Sequence, residues 1–370
     1  DSEELPDTDN GGEADAAPGL GGEIAVDEGG EVVQADSYVT DDGYSFIIDR
    51  GNAIINGYSG YETVLNIPAT IAYNGNSYNV IKIRYNAFKN KNTITQVSIP
   101  GTITNIDESA FEGCISLKTV TINEGVVSIG HRAFAGCTSL GNIVIPSTVT
   151  EVGSYAFDNC ISMTSANIKT YFVGGRMFNG CKSLTTVTLS NTVSEIGTYA
   201  FNECISLSSI NLPASLRTIR NNAFYHCTTL KSIVLNEGLE TIAYDAFNGC
   251  TGLEAITIPS TVVKAESNIF RNCTGLLEAT VNNAVVSEGM FRDCAALKKV
   301  VLSDKVKTIE GRGFSGCTSL QSLALPSGLT AIGNWAFSGC TGLGSITVPQ
   351  SVTNVGTSAF SGCTALKTAD

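Results

Sequence analysis

The chain has 370 residues, of which 35 are acidic and 22 are basic, giving a formal net charge of −13. Twelve of the acidic residues and none of the basic ones lie in residues 1–36, so the rest of the chain is nearly neutral. A near-neutral chain without a basic stripe argues against nucleic-acid binding, and the absence of any run of 18 apolar residues argues against a membrane span.

Residues 1–36 are predicted to be a disordered acidic linker. They include no aromatic residue and are rich in Gly, Asp and Glu, so they cannot bury enough apolar surface to fold. The sequence has no initiator Met and no signal peptide and begins with this linker, as we expect of a mature exported protein whose leader has been removed. Residues 37–80 are predicted to be an N-terminal capping segment, and residues 81–370 a repeat domain.

All twelve cysteines of the chain recur at a regular spacing. Successive cysteines are 23 residues apart, except for 21 residues from Cys160 to Cys181 and from Cys273 to Cys294. A Phe lies three residues before each cysteine, and Phe88 extends the series back by one unit. A period of about 20–29 residues with one short apolar run per unit is typical of a solenoid. The two short units are 113 residues apart, and the chain resembles itself at that offset, which indicates duplication of a block of units.

Each unit is predicted to add one strand to a continuous parallel β-sheet. After Cys114, Val120 and Ile122 alternate with polar residues, the pattern of a strand with one buried face. A turn and a second inward apolar residue, Ile129, follow. The Ala-Phe-x-x-Cys segment is too short for a full α-helix, so we expect a short helical or 3-10 turn on the outer side. The expected fold class is α/β, a solenoid of about 13 coils, one for each Phe of the series.

The repeated pattern L-x-x-[IV]-x-[IL]-P-x-x-[VL]-x-x-I-G-x-x-A-F-x-x-C resembles the BspA-like class of bacterial leucine-rich repeats, over about residues 81–370. Residues 44–88 resemble the first segment of that class, a hairpin-like cap and first coil. The resemblance implies a leucine-rich repeat fold, a right-handed solenoid at the cell surface that acts in adhesion or host interaction. It does not name a ligand.

Three roles are open for the cysteines. A zinc site needs four converging ligands, whereas one Cys per coil forms a column, and only His226 of the two histidines lies next to a Cys, so no metal site is predicted. Coils stacked about 4.8 Å apart would allow disulfides between neighbours. The strict repetition instead favours twelve reduced, buried thiols, although exported proteins usually pair their cysteines.

The exposed face of the predicted sheet is one candidate interaction surface. It is rich in Ser, Thr and Asn and has no His, no Cys and no paired carboxylates, so no catalytic residue, no cofactor and no enzymatic activity are predicted. A hydroxyl-rich face is also what a solvated sheet prefers. The candidate residues are Thr119, Thr121, Thr164, Asn167, Thr186, Thr188, Ser209 and Asn211.

Two further groups are candidates. Tyr155, Tyr199 and Trp335 each precede Ala-Phe on the outer turn and could form a partner surface, with simple covering of the turn as the alternative. Lys298 and Lys299 begin a local basic cluster that could meet an acidic or sulfated partner.

The predicted function is a non-enzymatic cell-surface or secreted scaffold for adhesion or protein–protein interaction with host or neighbouring cells. The alternative is a glycan-binding module accessory to a surface enzyme system, which the absence of aromatic residues from the sheet face disfavours. The chain ends inside a predicted strand without a polar cap. We therefore expect either a further C-terminal part or an end-to-end contact, and a monomer or an end-to-end dimer.

Overall fold

The computed structural model describes residues 36–369 and two short strands that precede them, Ala25–Val26 and Val32–Val33. These two strands pair antiparallel, so the predicted linker contains one local β-pair. The remainder of the predicted linker lies outside the described residues, and its disorder stays a prediction.

The N-terminal cap is built from two antiparallel hairpins, which join through parallel pairing of the strands Asn52–Tyr58 and Asn76–Ile83. Two hairpins turn on Arg50-Gly51 and Asn74-Gly75, where both residues of each pair have positive φ, as two-residue type I′ turns require. The last cap strand also pairs in parallel with the first repeat strand behind it, so the cap covers one end of the solenoid. The cap strands are Tyr38–Val39, Tyr44–Asp49, Asn52–Tyr58, Thr70–Tyr73 and Asn76–Ile83.

Most coils contribute one strand to a parallel sheet, which we call the first sheet. In one of its strands Val120 and Ile122 are buried while Thr119 and Thr121 are exposed, as the alternation predicts. The sheet is not continuous as predicted: its hydrogen-bonded ladder breaks into groups of six, two, three and two strands, and strands of only two residues lie at the breaks. The strands are Val64–Asn66, Gln96–Ile99, Thr119–Ile122, Asn142–Ile145, Ser165–Ile168, Thr186–Leu189, Ser209–Ile210, Ser232–Ile233, Ala255–Ile258, Glu278–Val281, Lys299–Leu302, Ser345–Ile346 and Thr368–Ala369.

The second inward residue of each coil lies in a two-residue strand of a second parallel sheet, whose ladder also breaks, into groups of three, five and four strands, the first of which joins the cap. Ile106, for example, is in register with Ile129 of the next coil. These strands are Asn105–Ile106, Ser128–Ile129, Glu151–Val152, Phe172–Val173, Glu195–Ile196, Thr218–Ile219, Thr241–Ile242, Lys264–Ala265, Val285–Val286, Thr308–Ile309, Ala331–Ile332 and Asn354–Val355. The predicted right-handed parallel solenoid of about 13 coils is confirmed.

A column of phenylalanine rings fills the core. From Phe88 to Phe360 each ring stacks on the next, with centroids 4.8–5.7 Å apart and planes within 14° of parallel. At the N-terminal end, the buried rings of Tyr44 and Tyr58 lie 6.4 and 5.8 Å from Phe88. The cap therefore covers the first ring, whereas Phe360 stacks on one neighbour only.

The outer turns are not helical, so the predicted helical or 3-10 turns and the α/β class are wrong for the described residues. In each turn the N–H groups alternate between two kinds of acceptor. Ala110 donates to the carbonyl three residues earlier, whereas Phe111 donates to Ala133 of the next coil at 2.7 Å. Ser109 and Gly113 take positive φ of 54° and 71° and also donate to the next coil. A 3-10 helix needs consecutive local hydrogen bonds, which this coupling between coils excludes.

No helix in the described part of the chain is long and apolar enough to cross a membrane.

Replacing a central ring is expected to destabilise the protein more than replacing the terminal one. Phe224 is fully buried and stacks on Phe201 and Phe247, whereas Phe360 is half-buried and stacks only on Phe337. Phe224→Ala should lower the free energy of unfolding by about 3–5 kcal/mol, and Phe360→Ala by clearly less, as measured by urea denaturation. Equal losses would contradict a core in which each coil is stabilised by its two neighbours.

Candidate interaction surfaces

The predicted site residues lie on two different parts of the coil and do not converge on one site. The polar residues and the two lysines belong to the first sheet or its edge, and the three aromatic residues belong to the outer turns. The chain therefore has two separate candidate surfaces.

The polar residues of the first sheet form columns that run from strand to strand. Ser165 is in register with Thr186, and Asn167 with Thr188. The Thr164 hydroxyl donates to the carbonyl of Gly141 at 3.1 Å, so this side chain hydrogen-bonds the neighbouring coil. The column that contains Asn167 is interrupted by three exposed valines, Val144, Val234 and Val301. The face thus presents scattered hydroxyls and single apolar side chains, with no convergent group.

The two lysines do not form a concentrated basic site. Both are exposed, and the Lys299 ammonium lies 3.1 Å from a carboxylate oxygen of Glu278. Such an exposed pair adds little stability, but it offsets the charge of Lys299. Arg312, which follows this cluster in the sequence, lies on an outer turn and pairs with Glu288 at 3.4 Å.

Tyr155, Tyr199 and Trp335 belong to a column of arginine and aromatic side chains that we call the outer-turn ladder. The guanidinium carbon of Arg176 lies 5.0 Å from the ring centroid of Tyr155 and 4.5 Å from that of Tyr199. These are cation–π distances. The ladder consists of Arg132, Tyr155, Arg176 and Tyr199 in successive coils and, further along the same column, Arg312 and Trp335.

All six ladder residues have a left-handed backbone, with φ between 52° and 62°. The conformation lets each N–H donate to the next coil, as Arg176 does to Thr198 at 2.7 Å. Asn222 and Asn268 occupy the same column with φ of 55° and 59°. Asn tolerates this conformation, whereas a bulky side chain in it costs on the order of 1 kcal/mol. The ladder residues therefore adopt a backbone conformation that is unfavourable for their side chains, whereas the same column contains Asn, which tolerates it, at positions 222 and 268.

Trp335 borders a shallow depression of about 370 Å³. Its lining includes Glu288, Glu310, Arg312 and Asn334. The indole is 39% exposed and lies 4.9 Å from the Arg312 guanidinium carbon. This end of the ladder thus combines an exposed ring with charges of both signs.

A partly buried polar column lies beside the first part of the ladder and was missed from the sequence. The Asn179 amide donates to the Asp158 carboxylate at 2.6 Å, and the Asn202 amide donates to the Asn179 side-chain oxygen at 2.5 Å. The signal was available, because these residues directly follow the repeat Phe in three successive coils. This column ties together the turns that carry Tyr155 and Tyr199.

The cysteines act as hydrogen-bond donors inside the core, a role that the spacing did not reveal. Each Sγ lies 3.1–3.4 Å from the carbonyl oxygen of the repeat Phe in the preceding coil, from Cys114 with Phe88 to Cys363 with Phe337. All twelve are unpaired, and eleven are buried. Burial raises the pKa of these thiols, to about 11 for Cys114. The protonated donor is therefore the form present at neutral pH.

Among residues 36–369, no group of three or more His, Cys, Asp or Glu side chains is placed to hold a metal ion. A column of thiols that each donate to a carbonyl offers no thiolate, which is the form that binds metals.

The sequence profile of the BspA type leucine-rich repeat region matches this chain in six copies, over residues 81–204, 170–277 and 284–370. The chain belongs to the BspA-type leucine-rich repeat family. The resemblance seen in the repeat pattern is thereby confirmed.

This BspA-type protein is similar to two solved bacterial proteins. A leucine-rich repeat protein from Bacteroides ovatus is 30% identical, over 89% of this chain and 93% of that one, with a TM-score of 0.67. A leucine-rich cell surface protein from Faecalibacterium prausnitzii is 33% identical, over 90% and 93% of the two chains, with a TM-score of 0.57. The pneumococcal vaccine antigen PcpA shares the fold at 18% identity, over 90% and 86%, with a TM-score of 0.52. No curated protein matches in sequence.

The stability of this BspA-type protein is expected to fall as the pH rises above about 8.5, the pKa of a thiol in an unfolded chain. Burial raises the folded-state pKa, to about 11 for Cys114 and about 12 for Cys227, so the unfolded state loses its thiol protons first. Each buried thiol makes its full contribution to the free energy of unfolding below the unfolded-state pKa. This contribution falls by about 1.4 kcal/mol per pH unit as the pH rises from the unfolded-state pKa toward the folded-state pKa.

Urea midpoints between about pH 7 and pH 10 measure this loss. Cys204→Ala removes one buried thiol and should make the pH dependence shallower. A midpoint that stays constant over this range would contradict the role of the buried thiols.

Thiol counting without reductant should give twelve reactive groups in the unfolded protein. In the native protein only Cys363 is half-buried, so a chromogenic disulfide reagent should react quickly at one thiol and slowly at the other eleven. A count well below twelve after unfolding would show that the cysteines are paired and that the column of donors is wrong.

Proposed function

We propose that this BspA-type protein is a non-enzymatic scaffold, secreted or held at the bacterial cell surface, that binds a protein of a host or neighbouring cell through the outer-turn ladder. The Phe rings and Cys thiols stabilise the core by contacts between coils. The side chain of the ladder position takes no part in those contacts, so it can vary from coil to coil without disturbing the core.

The observation that carries the proposal is the set of large side chains in left-handed backbone. Strain that the fold does not need points to a function. Asn222 and Asn268 occupy the same column without that strain, so the fold does not need Tyr155 or Tyr199 there. Tyr, Trp and Arg are also the residue types that dominate the binding energy of protein interfaces.

The ladder favours a protein partner over a glycan. Sugars bind aromatic side chains by lying on the ring face, but the Arg176 guanidinium already lies over the rings of both Tyr155 and Tyr199. The guanidinium groups of the ladder can also donate hydrogen bonds to carboxylates and backbone carbonyls of a protein.

The proposed location rests on two supports. The similar Faecalibacterium prausnitzii protein is described as a cell surface protein. Eleven of the twelve thiols are buried in the core, where the pKa of a thiol such as that of Cys114 is raised. A protonated, inaccessible thiol resists oxidation, which allows reduced cysteines to persist outside the cell.

The proposal is tested by binding of labelled protein to cultured epithelial cells and to bacterial cells, before and after protease treatment of those cells. The Tyr155→Asn and Tyr199→Asn double variant should bind at least about ten-fold more weakly. The matched control is a Thr119→Lys and Thr186→Lys double variant of the first sheet, which should bind like the wild type. Protease, and not glycosidase, should abolish binding.

The stability of the ladder variant separates binding from folding. Asn already occupies this column in the same conformation, so relief of strain should offset the lost cation–π contacts to within about 1 kcal/mol. Undiminished binding by the ladder variant, or loss of binding only in the sheet variant, would contradict the proposal.

A further inference from the structure

The two 21-residue coils occupy equivalent places in the duplicated blocks and have the same backbone hydrogen bonds. Position 171 of the first corresponds to position 284 of the second, 113 residues later. The carbonyl of Tyr171 accepts the Ser194 N–H at 2.9 Å, and that of Ala284 accepts the Lys307 N–H at 2.8 Å. We call these places the first corner and the second corner. The same backbone therefore carries a large side chain in one block and a methyl group in the other.

The first corner is filled by its own aromatic side chains. The rings of Tyr171 and Phe172 lie 4.9 Å apart. The Tyr171 hydroxyl reaches back to the preceding coil and donates to the carbonyl of Thr150 at 3.3 Å. Tyr171 thus covers the shortened turn with its ring and donates a hydrogen bond to a backbone carbonyl with its hydroxyl.

The second corner is open. Ala284 and Val285 replace the two rings and leave a cavity of about 450 Å³, with Val262 and Val263 in its lining. Val263 is the counterpart of Thr150, and its side chain is 86% exposed. Its carbonyl accepts no hydrogen bond from any residue of the described chain. The second corner therefore lacks the ring and the hydroxyl that complete the first.

The charge at the second corner also differs. Lys264 and Lys305 line it, where the first block has Glu151 and Thr192. Lys264 pairs with Glu266 at 2.5 Å. Lys305 is exposed and makes no ion pair within residues 36–369.

Glu310 also lines the second corner. One of its carboxylate oxygens accepts the N–H of Glu288 at 3.0 Å. Of the two lysines at this corner, Lys305 is therefore the one whose ammonium has no carboxylate partner in the described part of the chain.

We propose that the second corner binds a tyrosine side chain of a partner protein, next to a carboxylate in the partner's sequence. The ring lies against Val263 and Ala284, as the Tyr171 ring lies in the first corner. The partner's hydroxyl donates to the Val263 carbonyl, and its carboxylate pairs with Lys305. This site lies apart from Tyr155 and Tyr199, so it stands or fails independently of their role.

The test uses the full chain and a fluorescein-labelled peptide that contains Glu-Tyr-Glu, with binding followed by fluorescence anisotropy. Ala284→Tyr fills the corner from within and should weaken binding at least about ten-fold, as should Tyr→Ala in the peptide. Lys305→Ala should weaken binding and reduce its salt dependence. A peptide affinity unchanged by Ala284→Tyr or by the peptide's Tyr→Ala change overturns the proposal.

Two controls keep the result interpretable. The Tyr155→Asn and Tyr199→Asn variant should bind the peptide like the wild type, so failure of the ladder proposal is distinguishable from failure of this one. Ala284→Tyr should raise the melting temperature by about 2 °C, because the new ring covers apolar surface and satisfies a carbonyl. A lower melting temperature would mean that the corner does not fit a tyrosine and would also overturn the proposal.

Discussion

Every other feature of the molecule depends on the hydrogen bonds that run from each outer turn to the next coil. In the turn around Phe134, the N–H groups of Arg132, Phe134 and Gly136 donate to carbonyls of the following coil, while the residues between them close local turns. This alternation requires the left-handed backbone at two places in each turn. It holds neighbouring turns in fixed register, and that register places Phe on Phe.

The same register explains why a cysteine follows each Phe by three residues. The buried carbonyl of each repeat Phe accepts a hydrogen bond from the thiol of the next coil, as that of Phe178 does from Cys204 at 3.3 Å. A thiol is small and apolar enough for the core and can still donate a weak hydrogen bond. The chemistry of the repeat is thus structural. The proposed binding sites are at positions whose side chains take no part in these repeated contacts. These are Tyr155 and Tyr199 and the corner around Ala284.

Much of the fold could be predicted, because strand alternation at Val120 and Ile122 and the turn pair Asn74-Gly75 are local signals. The conformation of the outer turn could not be predicted. Its local hydrogen bonds are those of a helical turn, and the hydrogen bonds that distinguish it from a helix have their acceptors in another coil. The left-handed column was hidden because Arg, Tyr and Trp occupy six of its thirteen positions, where Asn or Gly would have marked it. The second corner was hidden as well. That it lacks a tyrosine ring and hydroxyl is seen only by comparison with the first corner, where the Tyr171 hydroxyl reaches the Thr150 carbonyl.

Native-state hydrogen exchange is the sharpest test of the hydrogen bonds between outer turns, because it reports on the turn N–H groups one by one. We predict that the amides of Arg132, Phe134 and Gly136 exchange as slowly as those of the strand Asn142–Ile145, since they are bonded to the next coil. Exchange of these turn amides at the rate of an exposed loop, with the strand still protected, would contradict it.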